Sequence, residues 1–135
     1  MKKTSVPLVI AFTPDYFIPA ATCLYSIITS MQAEGELHVI CLLSEELPER
    51  LKLKIQLIGE GRTCYSFVNL QGKLQHIYID QKYTEAASYR LLLPDLLPEY
   101  KKVIYIDCDI IVRNDLVQLY HSIDLGMNYL AAVFV

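Results

Sequence analysis

Val103-Ile104-Tyr105-Ile106-Asp107-Cys108-Asp109-Ile110-Ile111-Val112 sets two carboxylates between two apolar runs. Val103 to Ile106 predicts a strand inside a sheet, because β-branched and aromatic side chains without polar interruption suit a strand covered on both faces. In extended chain, residues i and i+2 share a face, so Asp107 and Asp109 are expected to project to one side. Two converging carboxylates repel each other, and their burial costs desolvation. A hard divalent cation relieves the repulsion, and Mg²⁺ or Mn²⁺ held this way commonly bridges to phosphate oxygens. An isolated D-x-D is more often a capped turn beside a solvated acid. The flanking apolar runs favour a metal site here.

Working outward, the chain alternates strand and helix patterns. Val6 to Phe12 is apolar with no period-2 gap and predicts a doubly buried strand. Phe17, Ala20, Ala21, Leu24, Ile27, Ile28 and Met31 form the stripe of an amphipathic helix. Leu37 to Leu43 predicts a second strand, and a helix follows from about Pro48 to Ile58, closed by Gly59 and Gly61. Gln75 to Ile79 is read as a third, weaker strand. Thr84-Glu85 caps a helix that Pro94 interrupts. Asp115 to Tyr120 reads as a helical turn, and Tyr129 onward as a last strand. Such alternation means β-α-β units and a mostly parallel sheet. Ligands in such sheets bind beyond the carboxyl ends of the strands, which singles out Thr13-Pro14-Asp15-Tyr16 and Asp107-Cys108-Asp109.

Composition narrows the function. At 135 residues the chain is one domain or less, and at 53% hydrophobic it can build a core. A net charge of −3 without a basic run argues against nucleic acid as a partner. No segment reaches the roughly 18 to 20 apolar residues of a membrane span, and the Met1-Lys2-Lys3 start lacks a signal peptide's long apolar region. The expected location is the cytoplasm, with peripheral attachment at the membrane's inner face as the alternative. Cys23, Cys41, Cys64 and Cys108 form no C-x-x-C and are expected as buried free thiols.

The larger pattern resembles glycosyltransferase family 8. It comprises Tyr89-Arg90-Leu91-Leu92-Leu93-Pro94, Leu96-Leu97-Pro98, Lys102 to Asp109, Val112 and Asp115-Leu116. Ala11 through Tyr16, the helix bearing Leu24-Tyr25-Ser26-Ile27, and Asp124-Leu125-Gly126 before Tyr129 fit the same family. The resemblance covers essentially the whole chain. It implies a GT-A (Rossmann-like) α/β fold and a retaining transfer of glucose or galactose from a UDP-sugar to a hydroxyl, as in bacterial lipopolysaccharide glycosyltransferases and glycogenin. It implies Mn²⁺, with Mg²⁺ as the alternative, on Asp107 and Asp109. The donor-binding set it implies is Ala11, Thr13, Asp15, Tyr16, Arg90, Asp107, Cys108 and Asp109, with Tyr16 stacked on uracil and Cys108 near the ribose. No catalytic residue is assigned. The implied acceptor is a glycan or lipopolysaccharide core.

Two departures stand out. Thr13 occupies a position where the family commonly has an acidic residue, leaving a hydroxyl to hydrogen-bond. The family also carries a later histidine that completes the metal site, in an H-x-x-G-x-x-K-P-W-like motif, and His38, His76 and His121 do not lie in one. The apolar ending Tyr129 to Val135 leads to the expectation that residues 1–135 are the N-terminal, nucleotide-sugar-binding part, with the acceptor part absent. An apolar edge and an uncovered face left by such a cut would invite aggregation or pairing with another copy, a homo-oligomer. Two alternatives remain: a nucleotide-sugar-binding fragment without catalysis, and a haloacid-dehalogenase-like phosphatase using Asp107 as nucleophile.

Overall fold

The computed structural model describes residues 5–32, 34–76 and 85–132. Four strands, β1 (Val6–Phe12), β2 (Leu37–Leu43), β3 (Thr63–Asn69) and β4 (Ile104–Asp107), form one sheet in the order β3-β2-β1-β4. Every pairing is parallel. The expected α/β architecture with a mostly parallel sheet is therefore present. β1 lies between two neighbours and is buried along its whole length, which accounts for its unbroken apolar sequence.

One face of the sheet packs against α1 (Phe17–Ser30), α2 (Glu49–Gln56) and α5 (Leu116–Ser122). Val6, Leu8, Ile10 and Phe12 of β1 point into that layer together with Leu24 and Ile27 of α1. The opposite face carries Val9, Ala11, Ile40 and Leu42, covered by α3 (Glu85–Ser88), a 3-10 turn at Tyr89–Leu92, and α4 (Leu93–Leu96). Each fully buried aliphatic side chain in these layers contributes about 1.5 to 3 kcal/mol.

Two expectations fail for physical reasons. The third strand is Thr63–Asn69; Gln75 and His76 lie in a turn, and residues 77–79 fall outside the described ones. Thr63, Tyr65 and Phe67 alternate with Cys64, Ser66 and Val68, the period-2 pattern of an edge strand. The polar alternates hid it among more hydrophobic neighbours. Ser66 is used: His38 on the adjoining strand binds its hydroxyl at 2.7 Å and that of Tyr100 at 2.5 Å. Pro94 interrupts the helical run as expected: α3 gives way to the 3-10 turn, and Pro94 sits in the first turn of α4, where a missing N–H costs nothing. Tyr129 to Ala132 are irregular and exposed, because an apolar run becomes a strand only where an open edge takes its backbone groups; residues 133–135 lie outside the described ones. All four cysteines are free thiols, but only Cys23 and Cys41 are buried; Cys108 is partly buried and Cys64 is exposed.

Gly59 seats α2 against α1. Its φ is +73°, and a Cβ there would stand 2.8 Å from Cδ1 of Ile28 and 3.0 Å from Cγ2 of Thr63. Gly59→Ala adds left-handed strain to this overlap and is expected to cost about 2 kcal/mol, read as a lower urea midpoint. An unchanged midpoint would mean that the α1–α2 contact yields freely.

Candidate functional site

The sheet order creates a switch point. From β1 the chain winds outward through β2 to β3, then returns to place β4 on the other side of β1. The carboxyl ends of β1 and β4 therefore lie side by side, at the edge of the sheet where such folds bind ligands. Thr13 and the 3-10 turn Pro14–Tyr16 follow β1, and Asp107, Cys108 and Asp109 end β4. Ala11 is the register partner of Asp107. Seven of the expected donor-binding residues thus come from two adjoining strand ends.

Arg90 arrives from the covering layer. Along β4, Asp107 shares a face with Tyr105, the face turned toward α3 and the 3-10 turn. Nη2 of Arg90 meets Oδ1 of Asp107 at 3.3 Å, while Nε donates to the carbonyl of Ala87 at 2.8 Å. The guanidinium carbon lies 4.7 Å from the Tyr105 ring centroid, within cation–π range. Arg90 therefore pairs with Asp107 rather than with Glu85 or Asp95. The side chains are 48% and 60% exposed, so solvent holds this ion pair below about 1 kcal/mol.

The two carboxylates meet differently from the expectation. Only Asp107 is in the strand; Cys108 and Asp109 form a turn, so the shared pleat does not align them. Ile110 and Ile111 are exposed and form no second strand. What disciplines the turn is α1. Ser26 Oγ accepts from the Val112 N–H at 2.9 Å and donates to the Cys23 carbonyl at 2.7 Å, while Ser30 Oγ donates to the Val112 carbonyl at 2.9 Å. The Cys23 thiol points at the Asp107 carbonyl, 3.8 Å away. Asp115 then anchors the exit: Oδ1 accepts from the N–H groups of Val117 and Gln118, capping α5, and Oδ2 accepts from Gln32 at 2.7 Å.

Cys108 turns inward onto the α1 layer. Burial, then the charges of Asp109 and Asp107, push its thiol pKa up, so it is no thiolate nucleophile. Burial raises Cys23 to about 11, with Cys108 and Asp109 adding. Among the described residues no group of three His, Cys, Asp or Glu side chains is disposed to hold a metal. Two exposed carboxylates still suit a hard ion whose remaining positions are filled by phosphate oxygens and water. Beyond β1, Tyr16 is 47% exposed and Asp15 is exposed, so a flat aromatic face and an acceptor border these strand ends.

The sequence profile of glycosyl transferase family 8 matches residues 7–134. The chain belongs to this family. General stress protein A of Bacillus subtilis (strain 168) is 25% identical over 137 aligned positions, covering 98% of this chain and 48% of that protein. The fold matches the apo structure of the bifunctional glycosyltransferase WbbM with a TM-score of 0.77 at 24% identity, covering 91% of this chain and 22% of that one. It matches the galactosyltransferase LgtC, solved with donor and acceptor sugar analogs, with a TM-score of 0.65 at 22% identity, covering 90% of this chain and 44% of that one. The chain spans less than half the length of each of these three proteins. Membership of a glycosyltransferase family leaves the phosphatase alternative unsupported.

Two features of this family 8 chain were missed in its sequence. Ser26 and Ser30 stand four apart on an apolar helix face, and that spacing was the available signal for a backbone clamp. Tyr89 is fully buried beside β1 and β2, and its hydroxyl has no hydrogen-bond partner among the described residues. Burial, with Glu85 adding, pushes its pKa up to about 12. Nothing in a Y-R-L-L run announces this. Tyr89→Phe removes a buried hydroxyl that no described residue satisfies and is expected to be neutral or to stabilise by up to about 1 kcal/mol, measured by thermal melting. A large destabilisation would reveal a partner for the hydroxyl.

Proposed function

We propose that residues 1–135 form the nucleotide-sugar-binding part of a retaining hexosyltransferase. The donor is UDP-glucose or UDP-galactose. The acceptor is a hydroxyl of a glycan, with the lipopolysaccharide core or another surface glycan as the first candidate. Transfer takes place in the cytoplasm or at the inner face of the membrane; among the described residues no helix is long and apolar enough to cross a membrane.

The observation that carries this reading is the convergence of Thr13–Tyr16 and Asp107–Asp109 at the switch point between β1 and β4. Asp107 and Asp109 would hold Mn²⁺ or Mg²⁺, and such an ion supplies Lewis-acid stabilisation to a leaving diphosphate. Tyr16 offers its exposed ring to the uracil. Asp15 and Thr13 offer acceptors to the base, and the small Ala11 leaves room beside Asp107. Cys108 contributes backbone near the ribose, and the Arg90 fork suits diphosphate oxygens or sugar hydroxyls. LgtC, whose fold this chain shares, was solved in complex with donor and acceptor sugar analogs, which is consistent with this assignment.

The test is calorimetric titration of UDP into the purified chain, with Mn²⁺ and again with EDTA. Binding that needs the ion supports the reading. A folded chain that binds no UDP at any Mn²⁺ concentration overturns it for these residues. UDP-glucose, UDP-galactose and GDP-mannose, compared under the same conditions, then rank the donors.

A further inference from the structure

We infer that Arg90 is the resident counter-ion of Asp107, and that it disfavours a divalent cation binding alone, so that metal and nucleoside diphosphate enter together. The inference rests on the nucleotide-sugar reading above and concerns the order in which that site fills. Its basis is the contact between Nη2 of Arg90 and Oδ1 of Asp107, one of the two carboxylates assigned to the ion. A guanidinium there occupies a lone-pair direction that a metal would need, and it sets a positive charge beside a positive ion. A cation arriving alone must displace Arg90 and leaves the guanidinium without an anionic partner. A cation arriving with a diphosphate brings oxygens onto which the displaced guanidinium can move, in the bidentate geometry it prefers.

The local structure allows that exchange at little cost. The ion pair is half-exposed, so it is weak enough to give way. Arg90 donates from Nε to the Ala87 carbonyl and lies over the Tyr105 ring, so leaving Asp107 requires the planar guanidinium to turn as one unit above that ring. The backbone below need not move. Tyr105 keeps the guanidinium beside the end of β4 in either position. The other acidic side chains on the covering layer, part-buried Glu85 and exposed Asp95, are not the partners it uses.

The experiment measures Mn²⁺ binding without nucleotide, by electron paramagnetic resonance of the free ion, and UDP binding at saturating Mn²⁺, by calorimetry. It uses the wild-type chain, Arg90→Gln, Arg90→Lys and Asp107→Asn, each checked for folding by circular dichroism. Arg90→Gln is expected to bind Mn²⁺ alone about fivefold tighter than wild type, yet to bind UDP more weakly. Arg90→Lys, which keeps the charge, is expected to stay within about twofold of wild type for Mn²⁺ alone. If Arg90→Gln leaves Mn²⁺ binding unchanged or weaker while Asp107→Asn still abolishes UDP binding, the counter-ion role is wrong and the donor-site reading stands. If wild type itself binds no UDP with Mn²⁺, the donor-site reading fails and this inference with it.

Discussion

Asp107→Asn and Asp109→Asn are each expected to weaken Mn²⁺-dependent UDP binding at least about 100-fold, with no comparable loss of stability. A divalent ion held by only two protein carboxylates loses half its protein ligands, and half the compensating charge, with either substitution. A hundredfold loss corresponds to about 2.7 kcal/mol, modest for a first ligand of a hard cation. Stability should hardly change, because both side chains are exposed and the ion pair of Asp107 with Arg90 is half in water. Calorimetry gives the affinity and thermal melting gives the control. Retained UDP affinity in either variant would remove that carboxylate from the proposed metal site. Lost affinity accompanied by unfolding would point to a structural role instead.

Asp115→Ala shows the opposite balance: it is expected to cost about 3 kcal/mol of stability, although the residue contacts no proposed ligand. One carboxylate serves two backbone segments. Oδ1 caps α5 by accepting from Val117 and Gln118, and Oδ2 accepts from the Gln32 N–H just past α1. Loss of an N-cap costs about 1 kcal/mol, and stranding a further part-buried donor adds about 1 to 3 kcal/mol. Asp115 is 9% exposed, so water replaces little of what is lost. Asp115→Asn keeps a capping oxygen but turns its amide donors toward the Gln32 N–H, and should recover only about half of the stability. Urea denaturation of the three chains separates the contributions. Equal stability of Asn and Asp at this position would show that the Gln32 contact contributes nothing.

The legible parts of this protein are those whose pattern is local. The unbroken apolar run of β1 announced a doubly covered strand, and the stripe from Phe17 to Met31 announced α1, because burial on two faces or on one leaves a different periodicity. The D-x-D stood out because charges interrupt apolar sequence only at a cost. β3 was misplaced because an edge strand needs only alternation, and Cys64 and Ser66 diluted the signal. Tyr129 to Ala132 misled because apolar content records a wish for burial, whereas a strand requires a neighbouring backbone to pair with.

The residues alone determined the alternation of elements, and with it a parallel sheet whose strand ends carry Thr13–Tyr16 and Asp107–Asp109. They also determined the chemistry on offer: two acids, an aromatic face and a guanidinium. Three things belong to the assembled molecule. β4 crosses to the far side of β1 and sets their carboxyl ends side by side, Arg90 meets Asp107 across 17 positions, and Ser26 and Ser30 clamp Val112 across more than 80. The reason is that periodicity reports each segment's own surface, while partners far apart in sequence are chosen only when layers pack and every backbone donor must find an acceptor.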